Sequence, residues 1–424
     1  MLSRSDNERI TRVGPGTPGG ELFRRYWQPA GLSREIPEKD GAPVRVRLLG
    51  EDLLLFRDTS GKAALVDAYC PHRRAPLFFG RNEENGIRCV YHGWKFDGAG
   101  NCVDLPSEPT GTPMLSKVRL KSYPTVERGD VVWAYMGPPE LQPPPPDYEW
   151  LRAPATHRHV SKTYEDCNYL QGLEGGVDSA HSSFLHNNSI GDTSDPRNQD
   201  RSPQLEVEPT GYGYRYSSTR KIDPARHYVR VYHFVMPSFQ MRGTITDYKG
   251  DKRAKVPKID GHIWVPIDDE RTFVYNFMYS YDKAVPLDEE FSEQWEKFSG
   301  RGQDDLIPGS FRLKLNAGND YLIDRALQKT KTFTGIQGVN TQDYALQEGM
   351  GSIVDRSQEF LGTSDRAVVM TRRLLLEGTR TVENGGAPAG VDPASYRDVR
   401  PHDGYVPVNE DWRTVLQPEL RSKW

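Results

Sequence analysis

The chain has 424 residues and a net charge of −4, from 59 acidic and 55 basic side chains. That length exceeds what one hydrophobic core normally supports, so two domains are expected. The dispersed Lys and Arg argue against a nucleic-acid surface, and no apolar run approaches the ~20 residues of a spanning helix. MLSRSDNERI at the start lacks the apolar core of a signal peptide, which makes the cytoplasm the expected compartment. The cysteines at 70, 89, 102 and 167 are too few and too scattered for the disulfide framework of a secreted scaffold. A small molecule is the expected partner.

In chain order, VRVRLLG, DLLLFRD and AALVDAY open a run of short β-rich segments between Val44 and Trp133, separated by Gly, Asp and Asn turns. This spacing predicts a small antiparallel all-β module. The proline-dense stretch from Met136 to Trp150 can continue neither a ladder nor a helix and marks the boundary, giving domains 1–150 and 151–424. Tyr164 to His186 has helical character, interrupted by Gly172, Gly175 and Gly176. GYRYSSTRKI, HYVRVYHFVMP, GHIWVPIDD and RTFVYNFMYSY then alternate as half-buried antiparallel strands do, with IDDER as a hairpin. YALQEGMGSIVDRSQEFL and SDRAVVMTRRLLLEG have helical spacing, so the second domain is expected to be α+β and to close with helices.

Two constellations carry chemistry. Cys70-Pro-His72 and Cys89-Val-Tyr-His92 each offer one thiolate and one imidazole, with sixteen residues between them. A zinc knuckle tends to group like ligands around one ion, whereas paired Cys-His loops suit two irons bridged by sulfide, both thiolates on one and both imidazoles on the other. That is Rieske ligation of a [2Fe-2S] cluster; a single zinc is the alternative. Cys102 and Cys167 have no paired ligands nearby and read as buried thiols.

The second constellation is EGGVDSAHSSFLH. Two imidazoles and one carboxylate on one face of iron leave positions open for dioxygen and substrate, and His181 and His186 supply the imidazoles. Residues five apart on a regular helix diverge by about 140°, so the helix must bulge or end between them, where Ser182 and Ser183 sit. Asp178 is placed as an acceptor that orients a ligand imidazole. Spacing leaves the third ligand open among Asp320, Asp324, Asp343 and Asp355. His157, His159, His227, His233, His262 and His402 have no ligand-like spacing and are given ordinary surface or hydrogen-bonding roles.

With these motifs, RVGPGTPGGELFRRYWQPA, YCPHRRAPLFFGRNEENGIRCVYHGWKFDGAGNCVDLPSEP and TQDYALQEGMGSIVDRSQEFLGTSD, the chain resembles the Rieske aromatic-ring-hydroxylating oxygenases, specifically the phthalate 4,5-dioxygenase-like oxygenase subunits. The resemblance implies a Rieske domain followed by a helix-grip, START-like catalytic domain. It makes Cys70, His72, Cys89 and His92 the [2Fe-2S] ligands and His181, His186 and Asp343 the ligands of a mononuclear Fe(II). Asp178 becomes an electron-transfer bridge between subunits of a head-to-tail homotrimer or stacked hexamer. Many ring-hydroxylating relatives carry Asn at the position of Glu174, whose role therefore stays open.

The expected reaction is O2-dependent cis-dihydroxylation of an aromatic carboxylate such as phthalate or a phenoxybenzoate. Electrons would come from NADH through a separate flavin and iron-sulfur reductase, since no dinucleotide fingerprint, a G-x-G-x-x-G loop joining strand to helix, is apparent. Arg230 and Arg242, in the apolar segment RVYHFVMPSFQMR, are the candidates for holding the substrate carboxylate; Arg215, Arg220 and Arg226 share the predicted strands. The competing readings are a Rieske monooxygenase performing dealkylation or diaryl ether cleavage, an electron-carrying ferredoxin and a zinc-stabilised interaction module.

Overall fold

The β-branched and leucine-rich runs near the start of the chain form strands Val44–Leu48, Glu51–Arg57 and Ala63–Asp67, joined by tight turns and extended by Ser122–Tyr123 into a four-stranded antiparallel sheet. Arg81–Glu83, Gly86–Arg88, Lys95–Asp97 and Cys102–Asp104 form a second four-stranded sheet. Trp27–Leu32, Thr125–Arg128 and Val131–Tyr135 form a three-stranded one. Leu54, Phe56, Val66, Leu77, Ile87 and Phe96 are fully buried in a core that also includes Cys70, Cys89 and Trp94. The computed structural model describes residues 1–243 and 256–424. The chain divides into two units, Val13–Pro145 and a second made of Met1–Arg12 with Pro146–Trp424.

The sequence reading kept the first residues with the β module. They pack instead on the second unit through helix α1 (Arg4–Thr11). Asn7 donates to Val354 O and accepts from Arg356, and Arg9 reaches Thr379 and Glu383. Those anchors are single polar contacts without periodicity, so nothing in the local pattern announces them. Gly14, Gly16 and Gly19 do have G-x-G-x-x-G spacing, but they follow a helix and lead into the seven-residue helix Pro18–Arg24. Without a preceding strand the loop is no dinucleotide fingerprint.

The second unit is built on an eight-stranded antiparallel sheet. Its strands are β1 (Arg158–Glu165), β2 (Gln204–Thr210), β3 (Gly213–Lys221), β4 (Arg226–Val235), β5 (Phe239–Gly243), β6 (Lys258–Asp268), β7 (Arg271–Ser280) and β8 (His402–Pro407). They lie in the order β1-β7-β6-β5-β4-β3-β2, and β8 pairs with β4. The IDDER hairpin is present, with Asp268 opposite Arg271. β6 is buried on both faces except at Asp268. One face is Ile259, Gly261, Ile263 and Val265; the other is Lys258, Asp260, His262 and Trp264, an inward polar face that has to serve something other than the apolar core.

Helix α2 (Tyr169–Val177) crosses this sheet, capped by Asn168, whose side chain accepts from Leu170 N. Its glycines do not break it. A Cβ on Gly172 or Gly176 would stand 2.5 Å or 2.1 Å from the Trp264 indole, and one on Gly175 would stand 2.1 Å from the Gln347 amide. Close approach offsets the ~1 kcal/mol each helical glycine costs. Helices α3 (Glu289–Ser299), α4 (Val339–Gly349) and α5 (Arg366–Glu383) complete the layer. The helix expected from Tyr344 to Leu361 stops at Gly349, because Gly351 is left-handed at φ 90° and Asp355 caps a separate short turn. Nor does the chain close with helices alone: after α5 it returns as β8, then ends in two short turns. Among the described residues no helix is long and apolar enough to cross a membrane.

Candidate metal centres and substrate cavity

The two Cys-His loops of the first unit are built alike. Cys70 N donates to Ala75 O and Arg74 N to Cys70 O; Cys89 N donates to Trp94 O and Gly93 N to Cys89 O. The fourth residue after each cysteine is left-handed, Arg74 at φ 58° and Gly93 at φ 77°, which folds both loops back on themselves. Arg74 tolerates this conformation while held by Asp67 at 3.2 Å and by the Tyr69 ring. At Gly93 a Cβ would also meet Pro106 at 2.5 Å.

The cysteines are buried and the histidines half-buried, with the His72 and His92 rings 4.5 Å apart and Trp94 stacked on His72 at 4.3 Å. His92 Nδ1 is buried with no hydrogen-bond partner, an orphaned donor or acceptor of the kind a metal satisfies. Burial, reinforced by the neighbouring Cys89, pushes the Cys70 thiol up to about 11, so at neutral pH it keeps its proton until a bound metal displaces it to solvent. Among the described residues, a set of His, Cys, Asp or Glu ligand atoms all within 4.8 Å of one another occurs at His181, His186 and Asp343, not at these loops. Donors for one zinc would converge that tightly; donors for two bridged irons need not.

The second centre is made by a helix that ends early. α2 stops at Val177, and Asp178 is extended (φ −73°, ψ 124°). Its carboxylate accepts from Ala180 N at 2.7 Å and His181 N at 3.3 Å, folding the chain into the turn His181–Ser183 that follows. Leu185 N donates to His181 O, and this single turn brings His181 Nε2 and His186 Nε2 to 3.1 Å. Asp343, on α4, places Oδ1 3.6 Å from His181 Nε2 and 3.3 Å from His186 Nε2. Asp324 and Asp355 instead cap short helical segments, and Asp320 lies at φ 50° in the 3-10 segment Ala317–Leu322.

Burial opposes charge on Asp178, His181 and Asp343, and their neighbours outweigh it: His181 acts on Asp178, Asp178 and Asp343 act on His181, and His186 then His181 act on Asp343. Both carboxyls are held below their usual range, and the His181 imidazole is held above its own. The cluster therefore favours positive charge, which a divalent cation supplies when it displaces protons. His181 Nδ1 lies 3.3 Å from Asp178 Oδ2, within ion-pair reach but off the line of a formed hydrogen bond.

Beside these residues lies a cavity of about 310 Å³. α4 turns Asn340, Asp343, Tyr344 and Gln347 toward it at helical spacing, and Trp264, Val274, Trp295 and Phe298 supply apolar and aromatic wall. The opposite wall is charged. Tyr232, Arg242 and Asp260 stand directly opposite one another across β4, β5 and β6. Asp260 accepts from Arg242 Nε at 2.6 Å and from Lys258 Nζ at 2.5 Å; Arg242 Nη2 contacts His262 Nε2 at 2.9 Å, and His262 Nδ1 contacts Asn276 Oδ1 at 2.8 Å. Burial and the adjacent Arg242 push His262 down to about 3, so it is neutral and accepts from Arg242. Arg230 adds a third cation, over the Tyr232 ring and donating to Gly243 O.

Arg230 and Arg242 thus line the cavity, whereas Arg215 and Arg226 pair with Glu208 and Asp223, and Arg220 is tied to Ser183, Asp200 and Ser179. Lys258, Asp260 and Trp264 were not singled out from sequence, and His262 was given only its hydrogen bonds. The available signal was a strand whose alternate, inward positions are polar. Glu174 acquires a structural role, receiving Arg356 and Arg372 at 3.0 and 2.6 Å. Cys167 sits 3.4 Å from Glu165 and is not in the ligand set of His181, His186 and Asp343.

A β domain with paired Cys-His loops, joined in sequence to an α+β domain holding a two-histidine, one-carboxylate set beside a cavity, defines a class: non-haem iron oxygenases fed electrons by a cluster. The Rieske [2Fe-2S] domain family matches residues 26–124 and the family described as LigXa C-terminal domain like matches 134–422. The chain is 39% identical to the phthalate 4,5-dioxygenase oxygenase subunit of Pseudomonas putida, covering 97% of this chain and 94% of that protein. It is 36% identical to the 3-chlorobenzoate-3,4-dioxygenase oxygenase subunit of Comamonas testosteroni, over 100% and 99%. It is 33% identical to the 5,5'-dehydrodivanillate O-demethylase oxygenase subunit of a Sphingobium strain, over 93% and 85%. In fold it resembles the Pseudomonas putida CBB5 NdmA QL mutant with caffeine, at a TM-score of 0.63 and 18% identity over 93% and 98% of the two chains.

The chain belongs to the Rieske non-haem iron oxygenases, among the phthalate 4,5-dioxygenase-like oxygenase subunits. It is an oxidoreductase whose cofactors are a Rieske [2Fe-2S] cluster and a mononuclear iron.

Proposed function

We propose that this chain is the oxygenase component of a multicomponent system that cis-dihydroxylates an aromatic carboxylate with O2 and electrons delivered from NADH by a separate reductase. In this reading Cys70, His72, Cys89 and His92 hold the cluster, and His181, His186 and Asp343 hold the iron. When bound, these groups supply single-electron relay and dioxygen activation. Asp178 bridges a neighbouring subunit's cluster histidine to His181, so the working unit is a head-to-tail trimer or a stacked pair of trimers; a heterologous contact that closes a ring fits this need.

The observation that carries the substrate class is the charge of the cavity wall. On one wall of the cavity Arg230, Arg242 and Lys258 stand around Asp260, three cations to one carboxylate, with Trp264, Trp295 and Phe298 as aromatic surface; Asp178, Asp192, Asp195, Arg197 and Asp343 lie elsewhere on a largely polar lining. Asp260 and His262 hold Arg242 by Nε and Nη2, and among the described residues Nη1 has no partner. A guanidinium fixed in this way offers a preset donor to an incoming carboxylate at little entropic cost. The aromatic rings then stack the substrate beside the iron ligands and exclude water from it.

Arg242→Ala is expected to raise the KM for an aromatic carboxylate such as phthalate by about 10- to 100-fold, the equivalent of one charged hydrogen bond, with a smaller effect on kcat. Arg230→Ala should weaken binding in the same direction. Unchanged affinity in both variants would remove the carboxylate assignment. The second reading, an O-dealkylating monooxygenase, draws on the likeness to an O-demethylase subunit. Turnover under 18O2 separates the two: a cis-dihydrodiol carrying both labelled atoms supports dihydroxylation, and release of an aldehyde from an alkoxy substrate supports dealkylation.

A further inference from the structure

His186 meets an amide acceptor, and this contact fixes which of its nitrogens is available. Its Nδ1 lies 2.9 Å from Gln342 Oε1. The amide of Gln342 cannot be turned the other way round: its Nε2 donates to Ile336 O at 2.8 Å, a backbone carbonyl that can only accept, and to Asn188 Oδ1 at 2.9 Å. Oε1 therefore faces the imidazole as an acceptor, and Nδ1 must carry the proton. The lone pair is left on Nε2, the atom that lies 3.1 Å from His181 Nε2 and 3.3 Å from Asp343 Oδ1. Gln342 is fully buried, and it directly precedes Asp343 on α4.

We infer that Gln342 is a positioning residue for the mononuclear metal: it locks His186 in the Nδ1–H tautomer and holds the ring so that Nε2 meets a metal shared with His181 and Asp343. The inference rests on His186 being a metal ligand and adds the residue that prepares it. The same short stretch of α4 then does two jobs, since Asp343 contributes a carboxylate and Gln342 orients an imidazole. The two Nδ1 atoms also meet different neighbours, a carboxylate oxygen 3.3 Å from His181 and an amide oxygen 2.9 Å from His186.

The test is metal affinity, measured on full-length protein whose cluster is retained and whose mononuclear metal has been stripped, by titration with Co(II) against a chromophoric chelator. Gln342→Leu removes the acceptor and should weaken Co(II) binding about 10- to 100-fold. Gln342→Glu keeps an acceptor oxygen for Nδ1–H while losing the Nε2 donor, and should bind Co(II) at least as tightly as the parent. Thermal midpoints of both variants report the cost of the lost contacts to Ile336 and Asn188. A purely structural role predicts equal loss of affinity in both variants, in step with their midpoints, and would overturn the inference, as would parental affinity in Gln342→Leu. His186→Ala separates the two levels. If it loses Co(II) while Gln342→Leu does not, the positioning role alone fails; if it still binds at parental affinity, the ligand assignment fails and the positioning role with it.

Discussion

Replacing Asp343 by Ala is expected to lower iron from about three to about two atoms per chain while leaving about two sulfides and the EPR signal of the reduced cluster intact. Turnover should fall at least about a hundredfold, the upper end of what loss of a mere orienting partner costs a metal site. The reason is geometric. Asp343 is the carboxylate whose oxygen lies within 3.6 Å of both imidazole Nε2 atoms, and His181 and His186 alone offer two ligands on one turn. Because Asp343 lies on α4, in the unit that does not carry the Cys-His loops, its loss should not touch the cluster. Iron and sulfide assays with EPR check this directly. Full iron content in Asp343→Ala would move the third ligand elsewhere.

The second large effect is expected at Asp178. Asp178→Asn keeps an oxygen to accept from Ala180 N, the contact that leads the chain into the His181 turn, so both iron centres should remain loaded. What it removes is the negative charge 3.3 Å from His181 Nδ1. If Asp178 couples a neighbouring subunit's cluster to the iron, steady-state turnover should fall by about a hundredfold. Reoxidation of the pre-reduced cluster in the presence of substrate and O2, followed by stopped-flow absorbance, should slow by a similar factor. Slow turnover with unchanged cluster reoxidation would assign Asp178 a purely local role in shaping the turn.

How much of this was legible in the sequence follows the distance between the residues involved. Cys70 with His72 and Cys89 with His92 are neighbours along the chain, and the need for a break between His181 and His186 follows from helix geometry. The break does not fall at Ser182 and Ser183 as expected: α2 already ends at Val177, ahead of His181, and His181–Ser183 form a 3-10 turn of their own. Asp343 was one of four candidates on spacing alone, since its ligating position is created by α4 folding back from far along the chain. The glycines of α2 looked like interruptions because their purpose, contact with Trp264 and Gln347, is tertiary. Asp260 and Lys258 escaped notice, and His262 was given only an ordinary role, for the same reason. A polar face on a strand reads as solvated until the sheet is assembled, and here that face is buried. Gln342 had no motif at all; its role exists only in a hydrogen-bond arrangement joining Ile336, Asn188 and His186.

The central claim, two distinct iron centres in one chain, is tested most directly by anaerobic purification followed by counting iron, acid-labile sulfide and zinc per chain, with an EPR spectrum after dithionite reduction. The account predicts about three irons, about two sulfides, no stoichiometric zinc and the low average g-value of a mixed His/Cys cluster. Zinc without sulfide would contradict it.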